Sequence, residues 1–206
     1  MAGPSWTAGL MMPEKQALKL REPEISAEHT VRGMFMTSTL ECIRRVKGDE
    51  AMVKAAADAG FAGVSWGIMK KIPLAEFNHL RGVVAQALLP EVATIEEAIS
   101  LIGGTAVDIF FESVAGRTMK LLAGKDPHRL MSAAPNGYVL AVEDGAHRTY
   151  EKVGESAGLF TFVGDRLGPC HQFGVFSTAI KTVCGVTIDV QVGQNKLLDF
   201  EFRASW

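Results

Sequence analysis

At 206 residues, the chain has the length of one ordinary domain, or of one domain preceded by an arm. Hydrophobic residues make up 48% and charged residues 21%, as in a soluble globular protein, and the formal net charge of -2 excludes the broad basic field of a nucleic-acid-binding protein. No apolar run approaches the roughly twenty residues that span a bilayer, so we expect no membrane span. The three cysteines, in no paired spacing and without a secretory leader, predict reduced thiols in a cytoplasmic protein.

The N-terminal stretch, residues 1–25, shows little sustained periodicity. Its prolines are spread among polar residues, a pattern typical of a mobile arm. We expect one short helical turn inside this arm, around residues 14–20. The remainder, residues 26–206, is predicted to form a single domain.

Three helices are predicted in the first half of that domain. The first buries an apolar stripe at helical spacing, and Asp49 caps an alanine-rich second helix. Residues 61–72 are predicted to form a connecting loop. The third helix runs from about residue 73 to 89, where Pro90 ends it.

A fourth helix follows Thr94, which forms a capping-box pattern with Glu97. The pair Gly103 and Gly104 lies in the middle of this helix, where each glycine costs about 1 kcal/mol relative to alanine. We expect a close helix crossing at this pair, and a space for a ligand is the alternative. The inward stripe of the helix comprises Ile95, Ile99, Ile102, Ala106 and Phe110.

Two short helices are predicted next, over residues 113–124 and 126–132, the second with an Asp-Pro cap. From Pro135 onward we expect strands. Residues 138–142 and 148–152 are predicted to form a hairpin, and residues 159–163 a third strand.

The C-terminal segment has the clearest pattern of the chain. Apolar residues recur at helical spacing between Pro169 and Gly185, which predicts a helix. Residues 186–192 and 198–206 then alternate strictly between apolar and polar, which indicates an antiparallel hairpin with one apolar face. The predicted fold class is α+β: a helical N-terminal half followed by a C-terminal antiparallel sheet covered by one crossover helix.

The helical layer and the sheet would face each other across apolar side chains. We expect a small apolar cavity there, with plain core packing as the alternative. Its predicted lining is Ile102, Gly103, Phe110, Phe160 and Phe173.

Catalytic signatures are weak in this sequence. The nucleophile-elbow, dinucleotide and phosphate-loop patterns are absent. An enzyme would require Glu76, His79, Asp108 and Glu112 to converge on one point. We therefore predict no enzymatic activity.

The runs Val31-Arg32-Gly33-Met34-Phe35 and Asp126-Pro127 and the ending Phe200 to Trp206 resemble a large paralogous family of uncharacterised myxobacterial proteins, over about residues 31–206. More remotely, the order of elements is similar to the haem-nitric oxide/oxygen-binding domains and to the transport-particle and vinyl-reductase-like ligand-binding domains.

The haem branch of that resemblance implies two site residues. It places His128 where a histidine binds iron, and Arg166 as the arginine of a Tyr-x-Ser-x-Arg motif that holds the propionates. Phe162 and Gly164 stand where that motif has tyrosine and serine.

Our leading hypothesis is a non-catalytic cytoplasmic regulatory module that binds a small apolar ligand or a partner protein, without a cofactor. Arg166 is included among the predicted ligand-binding residues, since its planar fork could hold an anionic group. One alternative is a haem-based gas sensor with His128 as the iron ligand. Another is a purely structural interaction protein, in the form of a homodimer.

Overall fold

The computed structural model describes residues 5–89 and 91–206. Residues 1–4 of the predicted arm and the predicted helix end at Pro90 lie outside this range. The elements in chain order are a 3-10 turn (Ser5–Gly9), α1 (Glu14–Arg21), a second 3-10 turn (Glu22–Glu24), β1 (Thr30–Arg32), α2 (Met34–Lys47), α3 (Asp49–Asp58), β2 (Lys71–Pro73), α4 (Leu74–Leu88), α5 (Ile95–Glu112), α6 (Val114–Ala123), α7 (Pro127–Ala141), β3 (Val142–Glu143), β4 (His147–Gly154), β5 (Ala157–Val163), α8 (Pro169–Cys184), β6 (Asp189–Gln194) and β7 (Phe200–Ser205).

The C-terminal sheet confirms the predicted α+β class. Its strands lie in the order β4-β5-β7-β6, all antiparallel, and α8 connects β5 to β6. Phe160 pairs with Phe202 and Phe162 with Phe200 across β5 and β7. These alternate residues share one face of the sheet, and the ring of Phe176 on α8 packs 4.2 Å from that of Phe160. The crossover helix therefore covers the apolar face, as predicted.

A second, smaller sheet was not predicted. In it β1 pairs antiparallel with both β2 and β3. Part of the expected loop over residues 61–72 is therefore strand, since β2 begins at Lys71. This sheet joins the start of α2 to the end of α7.

The hairpin predicted over residues 138–142 and 148–152 is wrong, because residues 138–141 are the last turn of α7. The Asp126 side chain caps this helix by accepting from two backbone N–H groups. Pro135 removes one helical hydrogen bond, at about 3 kcal/mol, yet the helix continues through it. Leu130, Met131 and Tyr138 give α7 a buried face, and the burial of large apolar side chains at roughly 2 kcal/mol each offsets the proline. β4 pairs instead with β5.

The glycine pair of α5 forms a close helix crossing with α8, as expected. A Cβ atom added to Gly103 would lie 2.3 Å from the carbonyl oxygen of His171, and one added to Gly174 would lie 1.8 Å from that of Ser100. Only glycine allows these two backbones to approach so closely. The crossing fixes α8 between α5 and the sheet.

The described part of the N-terminal segment lies against the domain. The predicted helical turn is α1, in which Ala17 is buried. Trp6 stacks on Phe173 of α8 with ring centroids 4.2 Å apart. The division of the chain at residue 25 and the mobility of the arm stay predictions.

No single helix within the described residues is both long and apolar enough to cross a membrane. The pair α5 and α6 meets the requirements of length and composition only when joined, and the two helices meet at 92°.

Candidate functional site

An apolar cavity of about 90 Å³ lies among α2, α5, α6, α7 and α8. Aromatic and long aliphatic side chains form most of its wall. They include Phe110, Phe111, Leu130, Met131, Tyr138 and Phe176.

The sharp turn between α5 and α6 places the end of α5 at this cavity. Ser113 makes the turn: its hydroxyl oxygen accepts from the N–H group of Gly116 at 3.0 Å and donates to the carbonyl oxygen of Phe110 at 2.6 Å. Gly116 is required because a Cβ atom there would lie 2.0 Å from that carbonyl oxygen. As a result α6 folds across the cavity, and Met119 of α6 joins its lining.

A buried polar network begins at the cavity wall. The Tyr138 hydroxyl donates to the side-chain oxygen of Gln172. The Gln172 amide donates to Asp165 at 2.7 Å. Arg148 completes the network, at 2.8 Å from Asp165 and 2.6 Å from Asp144. The network ties α7, α8, β4 and the loop before α8 together.

Burial and charge set the protonation of this network. Burial raises the pKa of Tyr138 well above its usual value, so the phenol stays neutral. Burial alone would lower the pKa of Arg148, but Asp165 and Asp144 raise it overall, so the guanidinium stays charged. Neither Tyr138 nor Arg148 therefore exchanges a proton near neutral pH.

Larger grooves lie on the surface, among them one of about 720 Å³ between α1, α3 and α4. Lysine, carboxylate, amide and apolar side chains together line that groove. The cavity is almost wholly apolar, which makes it the better candidate for an apolar ligand.

A family model described as "Protein of unknown function (DUF2378)" matches residues 24–206. The chain belongs to the DUF2378 family. A comparison with curated proteins finds no match. The expected myxobacterial origin of the family stays a prediction.

Solved H-NOX structures share the fold of this DUF2378 chain. One is described as an oxygen-binding H-NOX domain related to soluble guanylate cyclases, at 11% identity and a TM-score of 0.65, covering 84% of this chain and 94% of that one. An H-NOX protein from K. algicida, in the Fe(II) unliganded state, matches at 12% identity and a TM-score of 0.65. The match covers 84% of this chain and 95% of that one. An H-NOX variant from T. tengcongensis matches at 13% identity and a TM-score of 0.66, and the match covers 84% of this chain and 96% of that one. At such identities the likeness shows the fold alone.

The predicted cavity residues are only partly brought together. Phe110 lines the cavity. Gly103 forms the crossing of α5 with α8, and Phe160 packs in the sheet against Phe176. Phe173 faces Trp6 on another side of α8, and Ile102 is buried in the core. Their role in ligand binding stays a prediction.

Sequence reasoning missed the part of the site on α7. Leu130, Ala134 and Tyr138 line the cavity at a spacing of four residues. That spacing, starting just after the Asp126 cap, is a helical signal. Pro135 hid it, because a proline normally ends a helix.

His128 and Arg166 are fully engaged within the chain. The two ring nitrogens of His128 contact the Tyr150 hydroxyl and, at 2.8 Å, the carbonyl oxygen of Glu155. Arg166 donates to backbone carbonyl oxygens, including those of Glu24 at 2.6 Å and Gly164 at 2.9 Å. Arg166 therefore ties the N-terminal segment to the loop before α8.

The residues present do not fit a haem in this cavity. Pockets for drug-sized ligands take roughly 300–1,000 Å³, and a porphyrin needs more space than the 90 Å³ found here. Among the described residues no histidine or cysteine lines the cavity. Tyr138 and three methionines do line it, but a space of this size admits no porphyrin beside them. His128 lies outside the lining, with both ring nitrogens already bonded.

The candidate catalytic residues are engaged separately. Asp108 pairs with Arg45 at 3.2 Å, and His79 packs against the ring of Phe61. Within the described ranges, no three His, Cys, Asp or Glu side chains form a group that could hold a metal ion.

Proposed function

We propose that this DUF2378 protein is a non-catalytic cytoplasmic regulatory module that binds a small apolar ligand among α5, α7 and α8. The observation that carries the proposal is the cavity itself, a space of about 90 Å³ between helices whose lining is almost wholly apolar. The side chains along its wall include no nucleophile and no acid–base pair.

The size of the cavity limits the ligand. An apolar cavity of roughly 150 Å³ holds benzene or xenon. The ligand is therefore a molecule of a few carbon atoms, or the end of a longer aliphatic chain. Met34, Met119 and Met131 line the cavity, and flexible methionine side chains let it adapt to such a guest.

The test uses xenon as a probe together with a cavity-filling variant. Ala134→Leu places a larger side chain in the lining on α7, whereas Ala133→Leu, one residue earlier, points toward the surface beside Leu122 and Arg129. We expect a saturable xenon NMR shift in the wild type and in Ala133→Leu, and its loss in Ala134→Leu.

Analysis of organic extracts then identifies the natural ligand. We expect an apolar compound, near one per chain, in extracts of the purified wild type and none in those of Ala134→Leu. The proposal fails if the variants and the wild type give the same xenon response, or if their extracts are identical.

A second candidate function, a homodimeric interaction module, is favoured by exposed apolar side chains. Leu121 is 82% exposed and Leu122 73%, both at the end of α6, and Val139 and Leu140 are exposed at the end of α7. Such side chains favour contact with a second copy of the chain. Light scattering tests this: Leu121→Glu should give monomers, whereas Val53→Glu, at an exposed site on α3, should not change the mass. A monomeric wild type would exclude the dimer.

A further inference from the structure

Two arginine side chains meet just before α8. Arg81 of α4 donates from Nη1 to the carbonyl oxygen of Leu167 at 2.9 Å. Arg21, at the end of α1, lies against Gly168, where an added Cβ atom would be 1.9 Å from its Nη1 atom. Both arginines are fully buried. His171, in the first turn of α8, is fully buried as well. We call Arg21, Arg81 and His171 the buried cation cluster.

Most polar atoms of this cluster lack a partner within the described chain. They are Nε and Nη1 of Arg21, Nε and Nη2 of Arg81, and both ring nitrogens of His171. Buried donors are almost always satisfied in native proteins. Six such atoms, on three side chains around the start of α8, indicate a partner that is not part of the polypeptide.

Arg81 forms no salt bridge among the described residues. Glu14 pairs with Arg21, whereas Arg81 donates to the carbonyl oxygen of Leu167. Burial, and then the charge of Arg21, lower the pKa of Arg81 to about 10, although Glu14 and Asp165 act in the opposite direction. The guanidinium of Arg81 therefore remains charged at neutral pH.

The surrounding titratable groups do not supply the missing hydrogen-bond acceptors. Burial raises the pKa of the Cys170 thiol well above its usual value, so it stays neutral. Burial, and then the charge of Arg81, hold the pKa of His171 well below its usual value, so this ring stays neutral too. Asp165 binds Arg148, Gln172 and the backbone N–H groups of Leu167 and Gly168. No carboxylate among the described residues accepts a hydrogen bond from the free nitrogen atoms of Arg21 and Arg81.

The N-terminus of α8 also favours an anion beside the cluster. The N-terminus of a helix carries a partial positive charge, which favours anions and disfavours cations. Arg21 lies against Gly168, the residue that caps α8. An anion bound beside Arg21 is therefore favoured at this end of the helix, in addition to the carboxylate of Glu14.

We propose that the buried cation cluster binds a small oxyanion of the phosphate type. The Nε and Nη2 atoms of Arg81 lie on the edge of the guanidinium that binds oxyanions through two parallel hydrogen bonds, and both atoms lack other partners. Arg21 supplies two further donors, and neutral His171 one. The site is separate from the proposed apolar ligand, although the ring of Phe35 lines the cavity and lies 6.2 Å from that of His171.

Calorimetry and thermal unfolding of the full chain test the proposal, with inorganic phosphate as the probe and chloride at matched ionic strength as the reference. We expect saturable binding near one phosphate per chain and a rise in Tm that chloride does not reproduce. Arg81→Met should lose at least tenfold in phosphate affinity.

Two further variants keep the test decisive. Arg203→Met, at an exposed position on β7, should bind phosphate like the wild type. Glu14→Gln removes the carboxylate that pairs with Arg21 and should tighten phosphate binding. This variant tests the proposal if Arg81→Met does not fold. Equal effects of phosphate and chloride on the Tm, unchanged affinity in Arg81→Met, or weaker binding in Glu14→Gln would overturn the proposal.

Discussion

The hydroxyl group of Tyr138 on α7 donates a hydrogen bond to the side-chain oxygen of Gln172 on α8. Gln172 in turn contacts Asp165, and the guanidinium of Arg148 lies 4.6 Å from the centre of the Tyr138 ring. One face of the ring thus forms the wall of the apolar cavity, while its polar end joins a buried charged network. Any rearrangement of the cavity wall that moves Tyr138 disturbs the contact between α7 and α8.

The Tyr138→Phe variant should destabilise the protein by about 1–3 kcal/mol, because it leaves the Gln172 oxygen buried without a donor. Chemical denaturation measures this loss. Tyr150→Phe is the matched control: its hydroxyl contacts the half-buried His128, which water can satisfy, so the loss should be smaller. Equal losses in the two variants would contradict a special role for the contact with Gln172.

His171 should make the stability depend on pH below neutrality. Its pKa in the folded protein lies well below the ordinary 6.5, first because of burial. The unfolded chain therefore takes up a proton as the pH falls through 6.5, while the folded chain does not. The contribution to stability is complete above pH 6.5 and falls by up to about 1.4 kcal/mol per pH unit below it.

Denaturation in phosphate-free buffer between pH 5 and 7 checks this dependence, by comparison of the wild type with His171→Gln. The variant should show a shallower loss of stability toward acid. His147→Gln, at an exposed position on β4, should keep the slope of the wild type. Parallel curves for the wild type and His171→Gln would refute the assignment.

Glu41 has an effect of the same sign, but at lower pH. Its pKa is lowered from 4.5 to about 2, chiefly by the hydrogen bond from Arg44. The stability it contributes is present above pH 4.5 and is lost as the pH falls toward 2. Because its partners are 44% and 40% exposed, we expect less than about 1 kcal/mol. The difference between the wild type and Glu41→Gln should vanish near pH 2, whereas Glu201→Gln, at an exposed site on β7, should show no such trend.

The C-terminal sheet was predictable because its pattern is local. Alternation fixes which side chains of β6 and β7 face the core, and α8 ends just before Gly185, which has a φ of +74°. The strand β6 nevertheless begins at Asp189 rather than at residue 186. Element ends depend on pairing partners that periodicity does not show.

The candidate site was far less predictable, because long-range packing creates it. The cavity lies where α7 packs on α5 and α8, and the prediction of residues 138–142 as a strand misplaced part of its wall, namely Tyr138 and Ala141. The buried cation cluster could not be predicted for another reason. Arginine side chains are mostly at the surface, so the sequence does not mark Arg21 and Arg81 as buried. Only the fold shows that both are buried at the start of α8.

Gly168 should be far less tolerant of substitution than Gly185, although both have positive φ angles. Gly168 has φ +83° and ψ 165°, a region essentially confined to glycine, and a Cβ atom there would collide with Nη1 of Arg21. Gly185 has φ +74° and ψ 14°, with no atom within 4 Å of an added Cβ atom. We expect about 1 kcal/mol of destabilisation for Gly185→Ala and about 3 kcal/mol or more for Gly168→Ala.

A double-mutant cycle separates backbone strain from the collision at Gly168. If Arg21 causes part of the loss, Gly168→Ala should cost less in an Arg21→Ala background than in the wild type, with a coupling energy of about 1 kcal/mol or more. The backbone strain is the same in both backgrounds and cancels in the cycle. Strictly additive losses of unfolding free energy would show that the Arg21 guanidinium does not lie against Gly168, and the buried cation cluster would then lose one of its two arginines.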